Sequence, residues 1–440
     1  MSRSIRWTTA IAVLLAATPS RAQELYSVGD LGSLGNPRGS GASALNGQGD
    51  AVGYAFVSGS TFVHATLNHR GTLTDLGTLG GTQSLARSVN SAGDIVGWAF
   101  AAGGTAQRAV LWRGGAATDL GTFGGPIADA HDVNDPGIVV GSAFDAQGLE
   151  RAFRWDGTLH DLGTLGGTQA RAYAINNWGD IVGMAAPVSN DRFHAFFGKA
   201  GSPLYDLGTL GGKTSHAYDV NESGHVCGWS QVGWSPTASR GFFWANGVMK
   251  DLGTAGGEYS AGFALNDHDE IVGMTSRADG QYVAFRWKAG TLTDLNTLLP
   301  QGSGWFLTRA WDIDENGIIV GEGILNGETR AFALTPSSLT SVPMAAVPGA
   351  IRLLGARPNP VVSIAHFEFD LPASGRARLE IFDVSGRRVR EVADGTFPAG
   401  RSSLAWDGLD ARGARPPGGQ YWACLTVDGR RWTRAFAVAR

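Results

Sequence analysis

The chain restates one phrase, most cleanly as DLGTLGGTQARAYAINNWGDIVG from Asp161 to Gly183, and versions of it open at Asp30, Asp75, Asp119, Asp161, Asp206, Asp251 and Asp294. The steps between openings are 45, 44, 42, 45, 45 and 43 residues. Such regular self-similarity marks a repeat architecture, in which each unit needs its neighbours to bury an apolar face. A unit copied seven times is a building block before it is an active site.

Each unit resolves into four short apolar runs. Around residue 150 they are IVVGSAF (138–144), RAFRWD (151–156), HDLGTL (160–165) and RAYAIN (171–176). Their brevity, their Val, Ile, Phe and Trp content and the Gly, Asn and Asp between them predict strands, and no helical period of useful length appears. The turn after the AIN run recurs as NNWGD, NSAGD, NESGH and NGQGD. An Asn that bonds its own backbone and a Gly that accepts a left-handed conformation close a tight hairpin, so neighbouring strands are antiparallel. The Asp of DLG is expected to accept backbone N–H groups in its own turn.

Four strands per 42–45 residues is the dimension of a propeller blade. The termini complete each other: LYSVGDLG (25–32) lacks a preceding HAF-type strand, and TRAFAL (329–334) lacks a following DLG. The expected fold is therefore all-β, a seven-bladed β-propeller of four-stranded blades over residues 23–334. Its N-terminal strand would close the last blade, begun by RAWDID, GIIVGEG and TRAFAL, leaving no sheet edge. An open solenoid of the same units is the competing architecture.

DLGTLGG, the A-x-x-[IV]-N run and the VG strand, in that order over about 310 residues, resemble the HAF repeat of extracellular bacterial proteins, named for the strand seen here as His194-Ala195-Phe196. The resemblance implies a secreted repeat protein of undetermined activity. Residues 335–350, rich in Pro, Ser and Ala, read as a linker. Beyond it, 351–440 carries Pro358-Asn359-Pro360, alternating AHFEFDLP and ARLEIFDVSGRRV runs, Trp406-Asp407-Gly408 with Asp410 and Gly413, and Gly419-Gln420-Tyr421. This tail resembles the Ig-like modules of flagellar hook-cap proteins and the sorting domains of type IX secretion. The resemblance implies a small Ig-like β-sandwich for sorting or anchoring, with the secretion machinery or cell envelope as partner.

The formal charge of −4 conceals an asymmetry, since residues 23–350 carry a net −12 and residues 351–440 a net +5. An acidic main body without a Lys/Arg stripe lacks the counterion-releasing surface that nucleic acid requires. Cys227 and Cys424, on either side of the linker, are read as buried thiols rather than a disulfide. Arg3 and Arg6, the apolar run from Thr8 to Ala17 and Ser20-Arg21-Ala22 read as a secretory signal peptide, residues 1–22, cleaved near Ala22. No later apolar run reaches the ~20 residues of a transmembrane helix, so an extracellular or cell-surface protein is expected.

Catalytic signatures are absent: no G-x-S-x-G elbow, no HExxH, no P-loop and no histidine pair at metal-ligand spacing. No cofactor is implied except calcium, for which Asp312, Asp314 and Asn316 form a D-x-D-x-N-G opening that lacks the acid an EF-hand needs at its twelfth position. A plain hairpin turn accounts for the same residues. The DLG aspartates read as structural. Variable loops on one face, with Trp229 and Trp234, are the preferred contact surface, and packing between blades is the other reading of Trp229. One column of the AIN strand also varies: Ser43, Arg87, His131, Tyr173, Tyr218, Phe263 and Trp311. It is either a ligand floor near an axis or packing between sheets. The expectation is a binding module for a glycan or protein. The alternatives are an extracellular polysaccharide hydrolase or lyase using acids and His131, and a structural surface repeat.

Overall fold

The computed structural model describes residues 25–337 apart from 105 and 234–237, and residues 352–439 apart from 358–360, 362, 363, 372, 373, 384–386, 399, 428 and 429. It divides into two compact units at residues 339/340. Among the described residues almost everything regular is β-strand, the exception being a short 3-10 helix at Leu295–Leu298.

The first unit is propeller-like, and its fourth repeat shows how the phrase folds. An inner strand, Gly166–Ile175, pairs with Asp180–Pro187, which pairs with His194–Lys199, which pairs with the short outer strand Tyr205–Gly208, all antiparallel. The inner strands of the repeats are Gly35–Leu45, Gly80–Val89, Gly124–Val133, Gly166–Ile175, Gly211–Val220, Gly256–Leu265 and Trp305–Ile313. Most begin several residues before the AIN run, inside DLGTLGG. The Gly-Gly stretch is therefore part crossover and part strand.

The glycine of the VG strand and the phenylalanine of the HAF strand require each other. A Cβ on Gly183 would lie 2.0 Å from the Arg171 carbonyl oxygen and 2.8 Å from the Phe196 ring. The bare glycine lets Phe196 lie flat across the sheet at 0% exposure, as Phe153, Phe242, Phe285 and Phe332 do in other repeats. Each such burial is worth about 1.5–3 kcal/mol. Every inner strand also carries a register shift, for example between Ala172 and Ala174. This bulge turns the next residues of the strand out of simple alternation.

Ala86, Ala130, Ala172, Ala217 and Ala310 are fully buried in the inner strands, where a methyl group is all the close-packed sheets admit. Each inner strand touches the inner strand of the next repeat, and Trp305–Ile313 touches Gly35–Leu45. The strand Tyr26–Asp30 pairs antiparallel with Glu328–Pro336, from Tyr26 opposite Pro336 to Asp30 opposite Phe332. Tyr26, 0% exposed, packs with Leu295, Leu307, Phe332 and Leu334. The pairing carries that strand to Pro336, into the segment read from sequence as linker; residues 338–350 lie outside the described residues.

The second unit has two antiparallel sheets. One orders Arg352–Arg357, Ala365–Leu371 and Gly400–Trp406; the other orders Arg388–Phe397, Gly375–Asp383, Gly419–Val427 and Arg430–Val438. Phe367, Phe369, Leu379, Ile381, Trp406 and Phe436 fill the space between them, with Phe436 edge-on to both Phe367 at 5.2 Å and Trp406 at 5.8 Å. The Trp406 indole N–H donates to the Leu409 carbonyl at 2.8 Å, tying the Trp-Asp-Gly turn to the core. Pro358-Asn359-Pro360 lies outside the described residues.

Cys227 and Cys424 are free and buried. Among the described residues no helix is long and apolar enough to cross a membrane.

Candidate functional site

Two ends of the inner strand have different chemistry. At the turn end, each AIN asparagine serves its own hairpin: Asn176 Oδ1 accepts from the Trp178 and Asp180 N–H groups at 3.1 and 2.9 Å. Its amide then reaches the next repeat. Asn46, Asn90, Asn134, Asn176, Asn221 and Asn266 each donate from Nδ2 to the backbone carbonyl of the equivalent residue one repeat on, at 2.9–3.1 Å. The last acceptor in the series is Asp314.

Buried carboxylates add a second set of ties. Asp132 accepts from the Val133 and Ile175 N–H groups, Asp219 from Val220 and Leu265, and Asp312 from Ile313 and Leu45. Each thus joins its own strand to the following inner strand, and Asp312 joins the seventh to the first. Burial raises all three carboxyls, Asp312 to about 7 and Asp219 well above the usual range. Asp314 Oδ1 accepts from the Asn316 and Ile318 N–H groups, and Asn316 Nδ2 donates to Asp314 Oδ2. The carboxylate oxygens of Asp312 and Asp314 thus accept from donors of the fold.

Toward the other end, the variable column comes together. His131 meets Tyr173 edge-on at 5.1 Å, Tyr173 meets Tyr218 at 5.1 Å, Tyr218 meets Phe263 at 5.7 Å, and Phe263 stacks on Trp311 at 4.5 Å. Contacts that pass from each repeat to the next place these half-buried side chains inside the cycle of inner strands. Ser43 and Arg87 complete the column. The first repeat makes room differently: a Cβ on Gly41 would lie 2.6 Å from the Tyr54 ring and 2.8 Å from Glu322, and Tyr54 donates to Glu322 at 3.2 Å across the seam between the last and first repeats.

The charged groups here are paired. Arg87 grips Asp129 through Nε at 2.9 Å and Nη2 at 2.7 Å. Arg171 donates to Glu150 at 2.7 Å, and Arg309 to Glu322 at 3.3 Å. The arginine side chains remain 33–45% exposed while their acid partners are only 9–13% exposed. The cations therefore form a solvent-facing rim over buried acids. Burial would raise Asp129, but the Arg87 guanidinium outweighs it and holds the carboxyl below its usual range.

Two histidines stand apart. Burial drives His131 down to about 3, against the pull of Asp129, and drives His216 down to about 4 with Arg171 acting in the same direction. Both are neutral imidazoles at neutral pH. His131 Nε2 and His216 Nδ1 have no hydrogen-bond partner.

Trp229, read from sequence as a loop contact, lies inside the strand Val226–Val232, directly opposite His216. Its ring sits 4.7 Å from His216 and its indole donates to the Tyr218 hydroxyl at 2.9 Å. It thus belongs to the axial group. Trp234 lies outside the described residues. Sequence reasoning missed Asp129, Arg171, His216 and Arg309. These stand two positions before the variable column on the same strand face, so the period of two extended one step further would have found them.

A tail of this construction has a recognisable counterpart. Residues 363–428 match the family model of the FlgD Ig-like domain. No curated protein matches the chain. Among solved structures the chain is similar to PorZ, an essential surface component of the type-IX secretion system of Porphyromonas gingivalis, at 14% identity and TM-score 0.42, covering 90% of this chain. It spans 59% of the length of PorZ. It is also similar to the β-propeller domain of the Trilobed protease from Pyrococcus furiosus, at 9% identity and TM-score 0.46, over 71% of this chain and 97% of that one. TolB from Acinetobacter baumannii aligns at 10% identity and TM-score 0.40, over 66% of this chain and 63% of that one.

Proposed function

We propose that this protein is an exported bacterial binding module, a closed seven-bladed β-propeller that presents its ligand site at the axis and carries an Ig-like domain for sorting or anchoring. The observation that carries the binding reading is the axial group itself. Side chains that differ from repeat to repeat meet in one place, with ion-paired arginines at the rim and unpartnered imidazoles below. The His131 and His216 nitrogens without a hydrogen-bond partner sit beside these aromatic rings, where a ligand could supply the missing bonds. Closure into a ring is supported by contact between the seventh and first inner strands and by the pairing of Tyr26–Asp30 with Glu328–Pro336. Export is supported by the leader pattern through Ala22, and the sorting role by the FlgD-type match.

The enzymatic alternative draws less support. General acid–base work needs carboxyls held at different protonation states and open to substrate. Asp129 and Glu150 are each held in an arginine ion pair, and the raised Asp132, Asp219 and Asp312 are fully engaged with backbone N–H groups.

The test is binding of the purified full chain to bacterial cell envelopes, extracellular polysaccharide and matrix proteins, alongside Tyr173→Ala and Trp229→Ala. Binding that both substitutions weaken at least about tenfold supports the axial site; binding that survives both places the ligand elsewhere and sinks it.

A further inference from the structure

We infer that the axial site takes a neutral saccharide, held by stacking on Tyr173, Tyr218 and Trp229 and by hydroxyl hydrogen bonds to His131, His216 and the arginine–carboxylate pairs. This rests on the binding-module reading and names its ligand class.

Charge is the first argument. Arg87, Arg171 and Arg309 are each matched by Asp129, Glu150 and Glu322. An anionic ligand would have to compete with carboxylates already seated in bidentate or charge-assisted bonds, and a cation would have to compete with guanidinium groups. Either exchange strips a buried acid of its partner. A neutral hydroxyl does neither, because a paired guanidinium still has N–H groups to offer and a paired carboxylate still has lone pairs.

The second argument is the state of the histidines. His131 has a side chain only 8% exposed, and its Nε2 makes no hydrogen bond, the nearest acid oxygen being Asp129 Oδ2 at 4.0 Å; the buried Nδ1 of His216 also makes none. Leaving a buried polar atom unbonded costs about 1–3 kcal/mol, which a ligand recovers when it supplies the missing bond. A hydroxyl both donates and accepts, so it satisfies a neutral imidazole in either tautomer. Tyr173 lies beside both rings, 5.1 Å from His131 and 6.4 Å from His216, so one small ligand can address all three.

The third argument is shape. A pyranose ring has an apolar C–H face and a hydroxyl rim, and it needs aromatic surface next to planar polar groups. Here Tyr173, Tyr218 and Trp229 adjoin Arg171 and Glu150, and the Arg171 guanidinium lies 5.7 Å from the Tyr173 ring centre. An uncharged ligand enters without the desolvation cost that a charged one would bring to so buried a site.

The experiment titrates the full chain with neutral oligosaccharides (cellohexaose, chitohexaose, mannohexaose) and acidic ones (oligogalacturonate, a heparin hexasaccharide). The expected result is that at least one neutral sugar binds, with a Kd unchanged within about twofold between about 0.1 and 1 M NaCl, over which the Debye length falls from about 10 to about 3 Å. Tyr173→Ala and Trp229→Ala, which each remove a stacking ring, should both weaken that binding more than tenfold, while Tyr173→Phe, which keeps the ring, should retain it within about twofold. Trp178→Ala, an exposed substitution on the opposite turns, should leave it unchanged. Axis-dependent, salt-sensitive binding of an acidic sugar, or of a protein ligand alone, overturns the saccharide class while the binding-module reading stands. Absence of any axis-dependent binding overturns both.

Discussion

The two ends of each inner strand follow opposite rules. At the turn end the same residue recurs, 3–7% exposed from Asn46 to Asn266, and its acceptor and donor are both used. At the axial end the corresponding positions read Ser, Arg, His, Tyr, Tyr and Phe, and the His131 Nε2 and His216 Nδ1 atoms make no hydrogen bond. The difference teaches where the scaffold's stability and its capacity for a ligand reside. Repetition marks the ties that join one repeat to the next, and variation marks the side chains by which the repeats differ in what they present.

The sharpest way to break this contrast is to damage the turn end. Asn176→Ala removes the acceptor for the part-buried Trp178 N–H and the buried Asp180 N–H, and the donor to the buried Asn221 carbonyl. It is expected to lower the unfolding free energy by about 3–4 kcal/mol, read by denaturant titration, because several polar groups are orphaned together. A loss below about 1 kcal/mol would mean that the asparagine series is decoration.

Acid should act next most strongly, and at the axial end. His131 and His216 have folded values depressed below the usual 6.5, so the unfolded chain binds protons that the folded chain refuses. Their contribution is complete above about pH 6.5 and is lost as pH falls toward 4 and 3. Between pH 7 and 5 the expected loss is about 2 kcal/mol per histidine. The groups facing them are Asp129, Arg87, Arg171 and Tyr173. Replacing both histidines by Gln should flatten that part of the stability–pH curve; an unchanged slope would show that the imidazoles titrate normally.

A smaller gain is expected at the seam. Asp314 occupies the seventh asparagine slot but has no amide to pass on to the first repeat. Asp314→Asn should restore the missing donor and stabilise the protein by about 1 kcal/mol. No gain, or a loss, would show that the seam geometry differs from the other junctions. Smallest of all, Tyr173→Phe should change the melting temperature by no more than about 2 °C, since its hydroxyl makes only long contacts to Arg171 and Met184 at 3.4 and 3.9 Å. A large drop would move Tyr173 from the ligand side of the comparison to the scaffold side.

The strands, their antiparallel order and the matched termini were legible because each is written as local periodicity or as a count. The DLG turn was legible as well: Asp161 Oδ1 accepts from the Gly163 N–H at 2.8 Å, as its sequence position suggested. What one repeat does to the next was not legible. Nothing in NNWGD says that the Asn176 amide leaves its own hairpin for Asn221, and nothing local pairs Arg87 with Asp129, which lie 42 positions apart. Whether Trp229 faces a ligand or packs between sheets was open in the sequence for the same reason, since its surroundings depend on the cross-strand partner His216 rather than on its neighbours in sequence.

The pairing of Tyr26–Asp30 with Glu328–Pro336 has a consequence in time. Ser27 meets Thr335 across 308 positions of chain. Contacts of such long sequence separation are the slowest to form, because the loop between the partners must close before the contact rewards it. Until Tyr26–Asp30 is in place, Glu328–Pro336 presents an unpaired edge, the condition most prone to pairing with the wrong strand.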